Sequence, residues 1–261
     1  MRVDVYLSAA GYTQSRKKAQ DLIDAGAVFI DGEAVKKSSS LIDHTVEHEV
    51  RIEQVFKYVS RGGMKLEAAL NAFSVNVNGK RAVDVGASTG GFTDCLLKRG
   101  AASVIAIDAG HGQLHESLKR DVRVTNIEHF NARELSAEIV GELCDVATAD
   151  VSFISQTYII PGIASVLNDG GSFVSLIKPQ FEAGRQGIGK GGIVTSAAYR
   201  YLAVKRVINA AVENGFDCVG LIRSPIEGGD GNIEYLAHFV KKYCVNPKVD
   251  DKTILLITKR K

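Results

Sequence analysis

Apolar positions change their spacing twice along this chain. From Ser15 to Ala25, Ala19, Leu22 and Ile23 share one helical face, while Arg16, Lys17, Lys18, Asp21 and Asp24 fall elsewhere. Gly26 follows as a helix terminator. Ala27-Val28-Phe29-Ile30 then reads as a strand, Asp31-Gly32 as a two-residue hairpin turn, and Ala34-Val35 as the start of the return strand, extended by Lys36 and Lys37. Lys57-Tyr58-Val59-Ser60-Arg61-Gly62-Gly63 breaks the pattern, and the paired glycines predict an irregular connector. Met64 to Phe73 predicts a helix with Leu66, Ala69, Leu70 and Phe73 on its apolar face.

Beyond Lys80 short apolar runs alternate with helical stretches. The strands expected are Ala82–Val85, Val104–Ile107, Val122–Thr125, Val146–Ala149, Ser172–Ile177, Cys218–Ile222 and Ile233–Phe239, with helices such as Phe92–Lys98 and Tyr199–Asn214 between them. Such alternation predicts an α/β fold with a doubly wound, Rossmann-like sheet of seven strands, whose ligands sit beyond the carboxyl ends of the strands. The domain plan is a small α+β module over 1–56, a linker over 57–63, a large domain over 64–244 and a C-terminal tail over 245–261.

Composition narrows the class. Of 261 residues, 45% are hydrophobic and 24% charged, which excludes a disordered chain. No apolar run reaches the ~18 residues of a membrane span, and the N-terminus shows no secretory signal. Cys95, Cys144, Cys218 and Cys244 are scattered, which predicts free thiols in a reducing cytoplasm. His44/His48 and His111/His115 lack a third ligand, so no metal is expected. The net charge of +2 is uninformative, but between Lys178 and Arg206 six basic residues face one acid, Glu182. Arg185 and Lys190, in a glycine-rich loop there, suit contact with a polyanion.

The loop Asp84-Val85-Gly86-Ala87-Ser88-Thr89-Gly90-Gly91-Phe92-Thr93 ends one strand and opens a helix. Its glycines permit close approach of a ligand to the backbone, but the spacing that grips a pyrophosphate is missing. That disfavours a nicotinamide dehydrogenase. Asp84 precedes the loop, where a carboxylate suits a cation. Asp108, 24 residues on at the end of the next strand, is placed for a ribose hydroxyl pair. An adenosine-like, cationic ligand without pyrophosphate is S-adenosyl-L-methionine.

Four polar residues stand out: Lys65 at the start of the helix after Gly62-Gly63, Asp150 and Lys178 at strand ends, and Glu234 within the last strand. Lys178 follows the apolar strand Phe173–Ile177, and Pro179 stops the ladder behind it. Loss of water favours the neutral form of an amine, and a neutral amine can act as a base. A ribose hydroxyl is a poor nucleophile that must be aligned with a sulfonium methyl and relieved of its proton. The set therefore points to 2′-hydroxyl methylation of RNA without a metal.

Two resemblances bear on this reading. The run Ser15-Arg16-Lys17-Lys18-Ala19-Gln20-Asp21-Leu22-Ile23-Asp24-Ala25-Gly26-Ala27-Val28-Phe29-Ile30-Asp31-Gly32 resembles the S4 RNA-binding domain. This implies RNA contact through Arg16, Lys17 and Lys18 at the helix start and Lys36 and Lys37 after the hairpin. With six basic and five acidic side chains in residues 1–40, any RNA face there must arise from clustering. Val59-Ser60-Arg61-Gly62-Gly63-Met64-Lys65-Leu66, the Asp84–Thr93 loop, Ala149-Asp150-Val151-Ser152-Phe153, Lys178-Pro179-Gln180-Phe181-Glu182 and Gly231-Asn232-Ile233-Glu234 resemble the TlyA (hemolysin A) family, in which an S4 domain joins an FtsJ-like methyltransferase of the class I type.

The resemblance implies a ribosomal RNA cytidine 2′-O-methyltransferase that uses S-adenosyl-L-methionine and meets ribosomal subunits. It carries a catalytic tetrad onto Lys65, Asp150, Lys178 and Glu234. It puts cofactor contacts at Asp84, Gly86, Ser88, Thr89, Gly90, Gly91, Phe92, Asp108 and Asp150; apart from the resemblance, Arg61 and the loop residues Arg185 and Lys190 are further candidates for RNA contact. The family's joint, which couples RNA to cofactor binding, falls on Lys57 to Arg61. A membrane-active hemolysin, the activity behind one family name, requires an insertion segment that the chain does not show. A non-catalytic RNA-binding assembly factor conflicts with the intact tetrad.

Overall fold

The computed structural model describes residues 1–24, 26–52, 57–228, 231–242 and 249–259. The chain forms two compact units, Met1–Lys57 and Tyr58–Lys261. Ala25 and Cys244 lie outside the described residues.

In the first unit, α1 (Val3–Ala9) and α2 (Arg16–Asp24) lie against a three-stranded antiparallel sheet of β1 (Val28–Ile30), β2 (Glu33–Ala34) and β3 (Val50–Ile52), in the order β2-β1-β3. Val3, Leu7, Ala19, Leu22, Ile23, Ala27 and Val28 form its core. Asp31 and Gly32 both take positive φ, 52° and 83°, as a tight hairpin turn with the strands' own twist requires. The return strand is shorter than its sequence suggests. It stops at Ala34, so Lys36 and Lys37 lie exposed in the loop that follows. Asp4 is fully buried between the helices. It accepts both guanidinium arms of Arg2 at 3.0 Å, Gln20 at 2.7 Å and Arg16 at 3.4 Å. Those donors hold its carboxyl well below the usual range.

The second unit opens with α3 (Arg61–Ala72). Then follow β4 (Arg81–Val85), α4 (Gly91–Lys98), β5 (Ser103–Ile107), α5 (Glu116–Lys119), β6 (Val124–Ile127), α6 (Ala137–Val140), β7 (Cys144–Ala149), α7 (Ile160–Val166), β8 (Leu167–Ile177), α8 (Pro179–Glu182), α9 (Ala197–Glu213), β9 (Phe216–Arg223), β10 (Tyr235–Lys241) and α10 (Asp251–Lys259). The seven strands stand in the order β6-β5-β4-β7-β8-β10-β9. The first five are parallel, and β10 runs antiparallel to both neighbours. The winding reverses at β4 and β7, which opens a crevice beyond their carboxyl ends. Two apolar cores fill the two faces: Val83, Val85, Ile105 and Phe173 belong to one, and Ala82, Leu66, Leu96 and Val174 to the other.

Four sequence expectations are corrected here. Gly62 and Gly63 are not an irregular connector but sit in the first turn of α3. A Cβ on Gly63 would stand 2.3 Å from the Tyr58 ring, so the glycine serves close packing. The strand expected from Val122 starts at Val124. Arg123 bonds back to Asp121 through its amide and guanidinium and forms a turn that leaves Val122 fully exposed. Glu234 lies one residue before its strand instead of within it. Residues 251–259, read as tail, form α10, which packs on α9; buried Arg200 donates to the Thr258 carbonyl at 3.0 and 3.3 Å.

Candidate active site

Strand ends bring the tetrad residues to one edge of the sheet. Lys178 caps β8, and its amine lies 2.6 Å from Asp150 Oδ1 and donates to Ser152 Oγ at 2.8 Å. Asp150 follows β7, where its amide donates to the Val85 carbonyl at 3.0 Å. In the antiparallel register Tyr235 faces Ile177, which sets Glu234 across from Lys178. Lys65, one turn into α3, donates to Glu234 Oε2 at 2.5 Å. Glu234 is only 3% exposed, so this pair is shielded from water. Two lysine–carboxylate pairs therefore stand here, with Asp150, Lys178 and Glu234 on adjoining strand ends and Lys65 on α3.

A cavity of about 500 Å³ opens beside the Asp150–Lys178 pair. Gly86, Ser88, Asp108 and Asp150 line it, together with Ile107, Gln113, Phe130, Asn131, Val151 and Phe153. Asp108 is held by two amides, Ser88 N at 2.8 Å on one oxygen and Gly110 N at 2.7 Å on the other. Each oxygen keeps acceptor capacity toward the cavity. Gly86, at φ 83°, comes so near the Asp150 carbonyl that a Cβ would lie 2.6 Å from it. The β4 loop and the β7 end meet there without room for a side chain. The cavity joins apolar walls to one anchored carboxylate, an acceptor that suits an adenosine with free ribose hydroxyls.

Other expected cofactor residues lie elsewhere. Asp84 is fully buried beneath the loop, where it accepts Thr93 Oγ1 at 2.7 Å and Thr148 Oγ1 at 2.8 Å. It ties α4 to β7 and is not among the residues that line the cavity. Burial pushes its carboxyl up to about 6. Thr89, Gly90, Gly91 and Phe92 are not among the cavity-lining residues. Gly90 packs against Leu114 and Leu118, and Phe92 is buried beside Gly62.

The Asp84 geometry gives a pH signature. A carboxyl whose folded pKa exceeds its unfolded one adds stability at low pH and loses it as pH rises from about 4 to about 6. Asp84→Asn removes that dependence. Relative to the parent, the variant should gain roughly 3 kcal/mol between pH 4 and pH 7 in denaturant titrations. A parent–variant difference that stays flat with pH would overturn this.

Gln113, Phe130, Asn131, Val151 and Phe153 escaped the sequence reading. Val151 and Phe153 stand in the quoted Ala149–Phe153 segment, while Gln113, Phe130 and Asn131 carry no signal beyond following strand ends. Phe153 is 92% exposed at φ 63°, with the Phe181 ring 5.3 Å away. A large apolar ring held in solvent by an unfavourable backbone at the cavity mouth suits stacking with a flat partner.

The expected RNA residues are dispersed. Arg16 reaches Asp4, and Lys17 pairs with Asp21 at 3.5 Å, so part of that basic face is engaged in holding its own unit together. Lys36, Lys37, Arg185 and Lys190 are exposed, while Arg61 opens α3. Among the described residues, no group of three His, Cys, Asp or Glu converges on a metal position, and no helix is long and apolar enough to cross a membrane.

Comparison with known proteins agrees with this architecture. Residues 58–241 match the FtsJ-like methyltransferase family, and residues 1–48 match the S4 domain. Hemolysin A of Brachyspira hyodysenteriae is 48% identical, over 92% of this chain and 100% of that protein. The 16S/23S rRNA (cytidine-2′-O)-methyltransferase TlyA of Mycobacterium tuberculosis is 43% identical, over 90% of this chain and 87% of its own. A solved structure from Streptococcus thermophilus, assigned as a hemolysin, superposes with a TM-score of 0.79 at 41% identity, over 99% of this chain and 94% of that one. The chain belongs to the FtsJ-like methyltransferase family, in the branch that carries an S4 domain and includes the TlyA and hemolysin A proteins.

Proposed function

We propose that this protein transfers a methyl group from S-adenosyl-L-methionine to a ribose 2′-hydroxyl of ribosomal RNA, with cytidine as the target, in the cytoplasm. The observation that carries the reading is the double ion pair Asp150–Lys178 and Lys65–Glu234 beside a cavity whose anchored carboxylate is Asp108. The relative that names a cytidine 2′-oxygen supports the choice of nucleotide.

Asp108 would hold the ribose hydroxyls of the methyl donor. Gly86, Ile107 and Val151 would wall its adenosine, with Asp150 at the far end. When bound, the donor supplies an electrophilic methyl on a sulfonium with a neutral thioether as leaving group. In its neutral form Lys178 accepts the 2′-hydroxyl proton as the oxygen bonds to the methyl carbon and the methyl–sulfur bond breaks, while Asp150 and Ser152 fix its amine. Lys65, steered by Glu234, orients the ribose from the opposite side. Phe153 receives the splayed nucleobase, because a ribose inside a stacked helix cannot enter a crevice. The S4 unit adds affinity for structured RNA through Arg16, Lys17, Lys18, Lys36 and Lys37. Arg61, Arg185 and Lys190 meet phosphates near the crevice.

Mapping ribose methylation on ribosomal RNA after incubation of unmodified subunits with the protein and the methyl donor tests the proposal. One or more new 2′-O-methylcytidines are expected; the absence of any new ribose methyl overturns it. A finer prediction concerns Asp108→Ala. Loss of a charged acceptor for two hydroxyls should weaken donor binding in calorimetry by about 10- to 100-fold. Unchanged affinity would remove Asp108 from the donor site.

A further inference from the structure

Glu182 is a buried carboxylate with no part in the chemistry above. It is 3% exposed and lies four residues beyond Lys178, at the end of α8. Its two oxygens accept Ser155 Oγ at 2.6 Å and the Gln156 amide at 2.7 Å. The Gln156 side chain reaches back to β8, where Nε2 donates to the Leu176 carbonyl at 2.7 Å and Oε1 accepts from Ser175 Oγ. The segment after β7, which carries Asp150 and Ser152, is thus stitched to the Lys178 segment on both sides of the lysine. Gln156 joins before it and Glu182 after it.

We propose that Glu182 is a positioning residue: by holding Ser155 and Gln156, it sets Asp150 and Ser152 against the Lys178 amine. This inference rests on the methyltransferase reading above. Plain packing would be met by an apolar side chain. Here burial pushes the Glu182 carboxyl above its ordinary value, so the fold keeps an acidic acceptor where desolvation opposes its charge. The return for that cost is geometric. Two donors from neighbouring residues converge on one rigid group, and the segment they anchor carries both partners of Lys178. A misplacement of about 1 Å at a reacting amine can cost about a hundredfold in rate.

The test compares the full-length parent with Glu182→Ala, Glu182→Gln and Ser155→Ala. Transfer of labelled methyl to ribosomal subunits gives kcat and KM, and calorimetry gives donor affinity. Glu182→Ala should lower kcat by about 10- to 100-fold, with KM for RNA and donor affinity changed less than about threefold. Glu182→Gln should recover to within about threefold of the parent, because its amide oxygen still accepts the Gln156 amide and the Ser155 hydroxyl can turn to accept. Ser155→Ala, which keeps one of the two bonds, should fall between them and serves if the alanine variant at 182 does not fold. Three results overturn the inference: a kcat within twofold of the parent in Glu182→Ala or Ser155→Ala, a Gln variant as impaired as Ala, or a loss confined to donor affinity. A parent chain that transfers no methyl overturns the functional reading and this inference together. An active parent with equally active variants overturns this inference alone.

Discussion

Replacing Lys178 with alanine should lower methyl transfer to ribosomal RNA about a thousandfold while leaving fold and donor binding intact. A ribose hydroxyl holds its proton too firmly to attack unaided, and Lys178 is the amine 2.6 Å from Asp150, a residue that lines the cavity. Removing it costs the proposed general base. Stability should change little, because the Asp150 side chain it leaves behind is 25% exposed and water can reach it. Lys178→Arg sharpens the result. Arginine keeps the positive charge and the contact with Asp150 but does not give up its proton, so it should be nearly as inactive as alanine. Single-turnover assays with saturating donor make the comparison. Activity within tenfold of the parent in either variant would take proton removal away from this residue.

The placement of the candidate site was legible where chain chemistry and strand position coincide. Lys178 ends an apolar strand before a proline, Asp150 ends another, and Asp108 a third; a doubly wound sheet must deliver such residues to one edge. The burial of Asp84 was not legible, because a carboxylate before a glycine-rich loop looks identical whether it faces a ligand or the core. Only the parity of β4 decides: Asp84 shares a face with Ala82, under α4, where Thr93 and Thr148 await it. Gly62-Gly63 carried the same ambiguity. Glycine marks both a loose joint and a tight contact, and the Tyr58 ring that makes it the latter is a three-dimensional fact. The C-terminal helix was missed because its short amphipathic pattern, with Ile254 and Thr258 inward and Leu255 and Leu256 outward, gains its stability from α9 and Arg200, not from local propensity. Phe153 could not be singled out at all, since nothing in the sequence distinguishes an exposed phenylalanine from a core one.

The Lys65–Glu234 pair should show that the tetrad holds charge for chemistry at the expense of stability. Both side chains are largely shut from water, at 11% and 3% exposure, and their separation is 2.5 Å. Such a pair seldom outperforms well-packed apolar residues, but breaking one half is severe. Lys65→Met strands the Glu234 carboxylate and should cost about 3–5 kcal/mol in denaturant unfolding. Glu234→Leu strands the amine and should cost a similar amount, less whatever water reaches Lys65. The double variant Lys65→Met/Glu234→Leu removes both charges and should regain most of that stability, leaving it within about 2 kcal/mol of the parent. Methyl transfer should not return with it. A restored fold without restored turnover separates the pair's catalytic part from its structural one. If the double variant is as unstable as the singles, the pair is a structural clamp. If it is active, the ribose is oriented by something other than Lys65.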